Sequence, residues 1–253
     1  NKRRTLSVKE QLKIGETIQS IKNNLLITHK FHARLEMNTI EAVDSILSLI
    51  ENGCIDELSF MDHTPGQGQY RDYSMFKLEI DKQYGKLDDK EKNKIINQCI
   101  SKKKISWEQL LSLIDICKKF KIPLAYHDVD SQEFVIWMKK NGFSICEFPI
   151  TEEAAIQAKN LNIFNTVGAP NILHGKSHNG NLSAINLLKR NVANIICSDY
   201  YATSMLPAIF KLQNFDIPLF EAVNFGTFYP ALAMGLKDRG QIMKGKRAYV
   251  IVV

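Results

Sequence analysis

The sequence predicts an α/β protein whose parallel strands close into a barrel, with a small β structure appended at the carboxyl end. Three observations carry this. Short apolar runs rich in β-branched residues alternate with segments long enough to hold a helix, and such alternation implies a parallel sheet. Glu36, His63, His127, Asn171 and Asp199 fall at or just past the carboxyl ends of those runs, the face on which a barrel gathers its active site. After about residue 236 the alternation stops. An open doubly wound sheet satisfies the first observation equally well, but strand ends that share one polar chemistry favour the barrel. The expected division is 1–235 for the barrel and 236–253 for strands of the small β domain.

Taken in order, Ser7 caps an amphipathic helix running to about Asn23, with Leu12, Ile14, Ile18 and Ile21 at near-helical spacing. LLITHKFHARLEM, 25–37, then alternates polar and apolar residues as a strand does. A helix near 39–52 and a strand near 56–61 follow, then a long insertion with helices near 88–102 and 107–120. Further strands are expected at PLAYH (123–127), SICEF (144–148), IFNTV (163–167) and NIICS (194–198), separated by segments that can hold helices. DRGQIMKGKRAYVIVV, 238–253, reads as two turns and a β-branched run, two strands lying outside the barrel.

No apolar stretch approaches the roughly 20 residues that a membrane span requires, so no membrane role is expected. The formal charge of +6 is mild and comes largely from Lys2, Arg3, Arg4 and the run Lys102–Lys104, read as solvated residues. It gives no support to nucleic-acid binding but suits a phosphorylated small molecule. Cys54, Cys99, Cys117, Cys146 and Cys197 are widely spaced without a CxxC pair, which fits a reduced, cytoplasmic setting. The chain opens on Asn rather than Met and shows no signal peptide, which suggests a piece of a longer chain.

Side chains two apart on a strand share a face, so His32, Arg34 and Glu36 form a polar row opposite Phe31, Ala33, Leu35 and Met37. Such a row suits a solvent-facing edge or, in a closed barrel, the lumen, where a buried Glu and Arg need partners or a metal. His63 and His127 each follow an apolar strand and each stands beside an aspartate. With Glu36 and Asp199 they make a His and carboxylate set of the kind zinc, manganese or iron prefers, and such a site activates water. In VGAPNILHGKSHNGN, 167–181, three glycines free the backbone while Asn171, Lys176, Ser177, His178 and Asn181 supply polar groups ahead of a helix expected at 181–190. Those are the needs of an anionic phosphate chain, although GxxxxGK[ST] is absent and a plain polar turn has the same composition.

DHTPGQGQYRD (62–72), YHD (126–128), EFPIT (147–151), GAPN with GKSHNGN (168–171, 175–181), SDYYATSML (198–206) and GLKDRGQIMKGKRA (235–248) stand in the order and spacing of the PhnM family. From about residue 28 onward the chain resembles that family, whose members are metal-dependent diphosphatases of the amidohydrolase superfamily in the carbon-phosphorus lyase route of phosphonate use. The resemblance implies a (β/α)8 TIM-like barrel incomplete at its amino end, one or two divalent ions (Zn, Mn or Fe), and hydrolysis of ribose 1-methylphosphonate 5-triphosphate to pyrophosphate and the 5-phosphate. It implies Glu36 as a bridging carboxylate, His63 and His127 as ligands, and Asp199 as both ligand and proton acceptor for the attacking water. Gln67, Gln69 and Arg71 would contact substrate. Arg34, Arg71, Lys176 and the amides around Gly175 would neutralise its charge.

The resemblance breaks at the amino end, because the HxH-type motif of a first barrel strand has no counterpart in residues 1–31; His29 and His32 lie on the strand already assigned. Ala248-Tyr249 also stands where Ala-Asp is usual. Two other readings keep the same residues. A related amidohydrolase acting on a cyclic amide or amine would retain the metal ligands and dispense with Lys176 and His178. A barrel lacking its first-strand histidines would serve as a binding subunit. A homo-oligomer is compatible with each.

Overall fold

The structure, a computed structural model, describes residues 8–175 and 182–253. It divides after Ile122 into two compact units.

The first unit runs α1 (Val8–Ile21), β1 (His32–Glu36), α2 (Val43–Glu51), β2 (Glu57–Met61), α3 (Tyr73–Tyr84), α4 (Asp89–Ile100) and α5 (Trp107–Phe120). β1 and β2 are parallel, with His32 opposite Glu57 and Glu36 opposite Met61. Ala33 and Leu35 are buried as the alternation requires, and Leu58 and Phe60 are fully buried. The helices follow from their sequence. Leu110, Leu113, Ile114 and Cys117 recur at helical spacing in α5 and all are buried. Asp88 with Glu91 and Ser106 with Gln109 form capping boxes that satisfy the first amide groups of α4 and α5. Gly15 lets α1 approach α2, since a Cβ there would stand 3.0 Å from the Phe31 ring and 3.2 Å from Leu49. α3 was not expected, although Asp72 caps it by accepting the Ser74 amide at 2.8 Å.

The second unit runs β3 (Leu124–His127), α6 (Gln132–Lys140), β4 (Ile145–Glu147), α7 (Glu152–Asn160), β5 (Phe164–Gly168), α8 (Ala169–His174), α9 (Ala184–Lys189), β6 (Ile195–Cys197), α10 (Met205–Lys211), α11 (Leu219–Gly226) and α12 (Phe228–Ala233). Its strands are parallel and adjacent in chain order, with His127 opposite Glu147, Cys146 opposite Asn165 and Val167 opposite Ile196. Val167, Ile172, Leu188, Leu212 and Phe225 belong to one buried cluster against which the helices pack. Asn165 is fully buried and donates to the carbonyls of Ala155 (2.7 Å) and Val192 (2.8 Å), which ties α7 and the turn before β6 to β5.

The strands expected near 56–61 and at 123–127, 144–148, 163–167 and 194–198 are formed within a residue or so of their expected places, the one expected over 25–37 is confined to His32–Glu36, and both units are β/α ladders of parallel strands. The strands expected over 236–253 are not: this segment holds turns and extended chain without a paired strand. A β-branched run becomes a strand only when its backbone finds a ladder partner. The segment is anchored another way. Asp238 accepts from Arg239 Nε at 2.8 Å and from Arg247, and the two guanidinium groups hold its carboxyl far below the usual range. None of the five cysteines is in a disulfide. Among the described residues, no helix is long and apolar enough to cross a membrane.

Among the described residues, seven non-glycine residues have positive φ. Lys121, Asn162, Asn191 and Asp216 lie at helix ends, where a left-handed residue is routine. Asp128, Phe148 and Asp199 (φ 58°, 52° and 49°) lie just past β3, β4 and β6. Left-handed backbone costs a non-glycine residue roughly 1–2 kcal/mol, so these strand exits are held there by their surroundings.

Candidate functional site

In the first unit β1 and β2 end together, and the expected site residues Glu36 and His63 lie at or just past those ends. Both oxygens of Glu36, the last residue of β1, are taken by His63, two residues past β2. The His63 backbone amide donates to Oε1 at 2.8 Å, and Nδ1 lies 2.7 Å from Oε2. The ring is therefore fixed, and with the proton on Nδ1 the lone pair sits on Nε2. Tyr70 meets the ring edge-on at 6.1 Å between centroids and itself stands against Phe76.

The loop that carries His63 is built by Asp62. Its Oδ1 accepts the Thr64 amide (3.0 Å) and hydroxyl (2.6 Å), while Oδ2 lies 2.6 Å from Lys104 Nζ. Burial works to raise the Asp62 pKa. The hydrogen bonds from Lys104, Thr64 and Gln67 outweigh it and hold the carboxyl below its usual range. Thr64 and Pro65 are buried. Gly66 then turns the chain at φ 97° with its amide donated to the Tyr70 carbonyl at 2.9 Å. Gln67, expected at the substrate, stands beside Asp62. Gln69 is half-buried and Arg71 exposed.

The polar row of β1 is only partly as expected. His32 Nε2 lies 2.8 Å from Ser59 Oγ, and Glu36 is committed to His63. Arg34 is exposed rather than buried in the row. A guanidinium on a long stem reaches water easily, and leaving it there avoids the cost of desolvation.

In the second unit His127 is the last residue of β3. Its Nδ1 lies 2.8 Å from Asp128 Oδ2, with the two side chains 10% and 7% exposed. Phe148 lays its ring against the imidazole at 4.9 Å. Burial, reinforced by the Glu147 and Asp128 carboxylates, pushes the neighbouring Cys146 thiol far up, so it stays protonated. Asp199 is exposed in the turn after β6. Asn171 is half-buried in α8, and its carbonyl accepts the Gly175 amide at 3.0 Å. That amide, expected to serve a phosphate, instead closes the helix in a left-handed cap. Lys176, Ser177, His178 and Asn181 lie outside the described residues.

Sequence reasoning noted Asp128 only as a neighbour of His127, passed over Phe148, and read Lys104 as solvated, whereas it is tied to Asp62. On a regular strand Asp128 should point away from His127, and only its positive φ turns it back.

No family model matches the chain. The crystal structure of an uncharacterized protein matches it with a TM-score of 0.56 at 11% identity, covering 92% of this chain and 64% of that one, which is a likeness of fold alone. An uncharacterized metal-dependent hydrolase from Pyrococcus horikoshii is more loosely alike, with a TM-score of 0.46 at 12% identity over 97% of this chain and 60% of that one. Fold and site together define an α/β protein of parallel β/α repeats with oriented histidines and carboxylates at its strand ends. In sequence the chain is a relative of the alpha-D-ribose 1-methylphosphonate 5-triphosphate diphosphatase of Escherichia coli K12, 32% identical over 229 residues that make up 88% of this chain. It spans 60% of that relative's length.

Proposed function

We propose that this chain carries the catalytic residues of a metal-dependent diphosphatase that releases pyrophosphate from ribose 1-methylphosphonate 5-triphosphate, the substrate named for its relative. The observation that supports this best is the Asp62–Gln67 loop. The most distinctive run of the resemblance is folded into a loop, pinned by Asp62, that carries a histidine with its tautomer already set by Glu36. A pre-oriented imidazole beside carboxylates fits a divalent ion.

In this reading His63, His127, Glu36 and Asp199 hold one or two divalent ions of the Zn, Mn or Fe kind. Such an ion, when bound, polarises phosphoryl oxygens and makes water a nucleophile near neutral pH. Asp199 accepts the proton of the attacking water, a task that suits its place at a strand exit. Arg34 and Arg71, both exposed, neutralise the triphosphate together with Lys176. Gln67, Gln69, Asn171, Ser177, His178 and Asn181 supply hydrogen bonds to it. Gln67 does so from its position beside Asp62.

The test is pyrophosphate release by the metal-loaded protein from ribose 1-methylphosphonate 5-triphosphate, with ATP as the control triphosphate and Asp199→Asn as the blank. Release from the phosphonate alone is the expected result. Absence of release from either triphosphate, with metal bound, would assign the site to other hydrolytic chemistry.

A further inference from the structure

We infer that Asp128 and Phe148 are positioning residues that together clamp the His127 imidazole and select its tautomer before any ligand arrives. This rests on the reading of His127 as a metal ligand.

The first observation is directional. Consecutive residues of a strand point to opposite faces, so the carboxylate after His127 ought to face away from it. At φ 58° Asp128 ends the strand and swings its side chain back until Oδ2 stands 2.8 Å from His127 Nδ1. The approach does not have the geometry of a hydrogen bond, and both groups are nearly buried, where the field of the carboxylate is weakly screened. A carboxylate at Nδ1 favours a proton on that nitrogen, which leaves the lone pair on Nε2.

The second observation is the ring. Phe148 also has a left-handed backbone, at φ 52°, a conformation rare for a bulky side chain. Its ring lies 4.9 Å from the imidazole at 57°. One residue thus sets the proton and the other limits rotation of the ring. Both are fixed by the next strand along: the Asp128 amide donates to the Glu147 carbonyl at 2.9 Å, and the Phe148 amide donates to the Thr166 carbonyl at 3.0 Å. Two strained strand exits, each tied to its neighbour, converge on one side chain. Outer partners of this kind commonly alter metal affinity by about 10–100-fold.

The test reads the tautomer directly, by long-range 1H–15N correlation of the histidine rings in metal-free protein. The chain has six histidines, so single substitutions assign the spectrum. His127 is expected with its proton on Nδ1. Asp128→Asn, nearly the same shape and well suited to left-handed backbone, is expected to shift the population toward Nε2–H and to weaken Mn2+ or Zn2+ binding by about 10–100-fold. Phe148→Leu is expected to keep the tautomer and lose less affinity. A wild-type His127 with its proton on Nε2 overturns the clamp whether or not the variants fold, and so does an Asp128→Asn variant with unchanged tautomer and affinity. His127→Gln separates the two readings: undiminished metal affinity there removes His127 from the ligand set, while the metal-free tautomer still decides the clamp.

Discussion

His63 and His127 end their strands in similar company and are held by different means. Each has Nδ1 within 2.8 Å of a carboxylate. For His63 the carboxylate comes from Glu36 on the neighbouring strand, relaxed in its backbone and holding the His63 amide as well as the ring. For His127 it comes from the next residue, whose strained backbone does the turning. The first arrangement stores its precision in strand register, the second in local conformation. The first should therefore fail by destabilising the fold, the second by loosening the ring while the fold persists.

The largest effects test whether the two histidines are equivalent. His63→Ala and His127→Ala are each expected to lose divalent-metal binding and with it turnover, as measured by metal content and pyrophosphate release; retention of metal by one alone would break the symmetry. Asp199→Asn is next, with a loss of about 10²–10⁴ in kcat and metal largely retained; full activity would remove Asp199 from the chemistry.

Stability separates the two anchors more finely. Glu36→Gln should lower the free energy of urea unfolding by about 1–3 kcal/mol, because one side chain satisfies two donors. Asp128→Asn should cost less, since the bonds that fix its backbone remain. Asp62→Asn removes the charged partner of Lys104, a loss of about 1.5–3 kcal/mol at neutral pH. The folded Asp62 carboxyl sits below its ordinary value of about 3.9, so its contribution is present above that value and disappears as pH falls through the folded one. The variant should accordingly show a flatter loss of stability on acidification below about pH 4, and an unchanged acid profile would exclude Asp62 as a source. The smallest effect, near 1 kcal/mol, is expected for Gly66→Ala. Its φ of 97° suits glycine, and the only close contact of an added methyl is the movable Tyr73 hydroxyl at 3.1 Å.

The strands were legible because a buried parallel strand is a short, mostly apolar run between turn residues, as in NIICS and PLAYH. Three things were hidden. The YVIVV run has strand composition, but pairing is a property of neighbours and not of the run. The Gly175 amide looked available to a ligand and is spent on the end of α8. The contact of Asp128 with His127 depends on one backbone angle that no spacing encodes. Glu36 and His63, in contrast, were found because both stand at strand ends, and parallel register aligns such ends.

The left-handed strand exits at Asp128, Phe148 and Asp199 also set how this protein responds to selection. Glycine relieves the strain at each of them, so a screen that rewards only heat resistance would enrich glycine wherever that relief exceeds what the native side chain contributes to the fold. The same replacements delete the carboxylates and the ring that the proposed site uses. A library sorted first for thermal survival and then for turnover should therefore show these three positions changing sign between the two sorts, a signature by which working residues are recognised without a bound ligand.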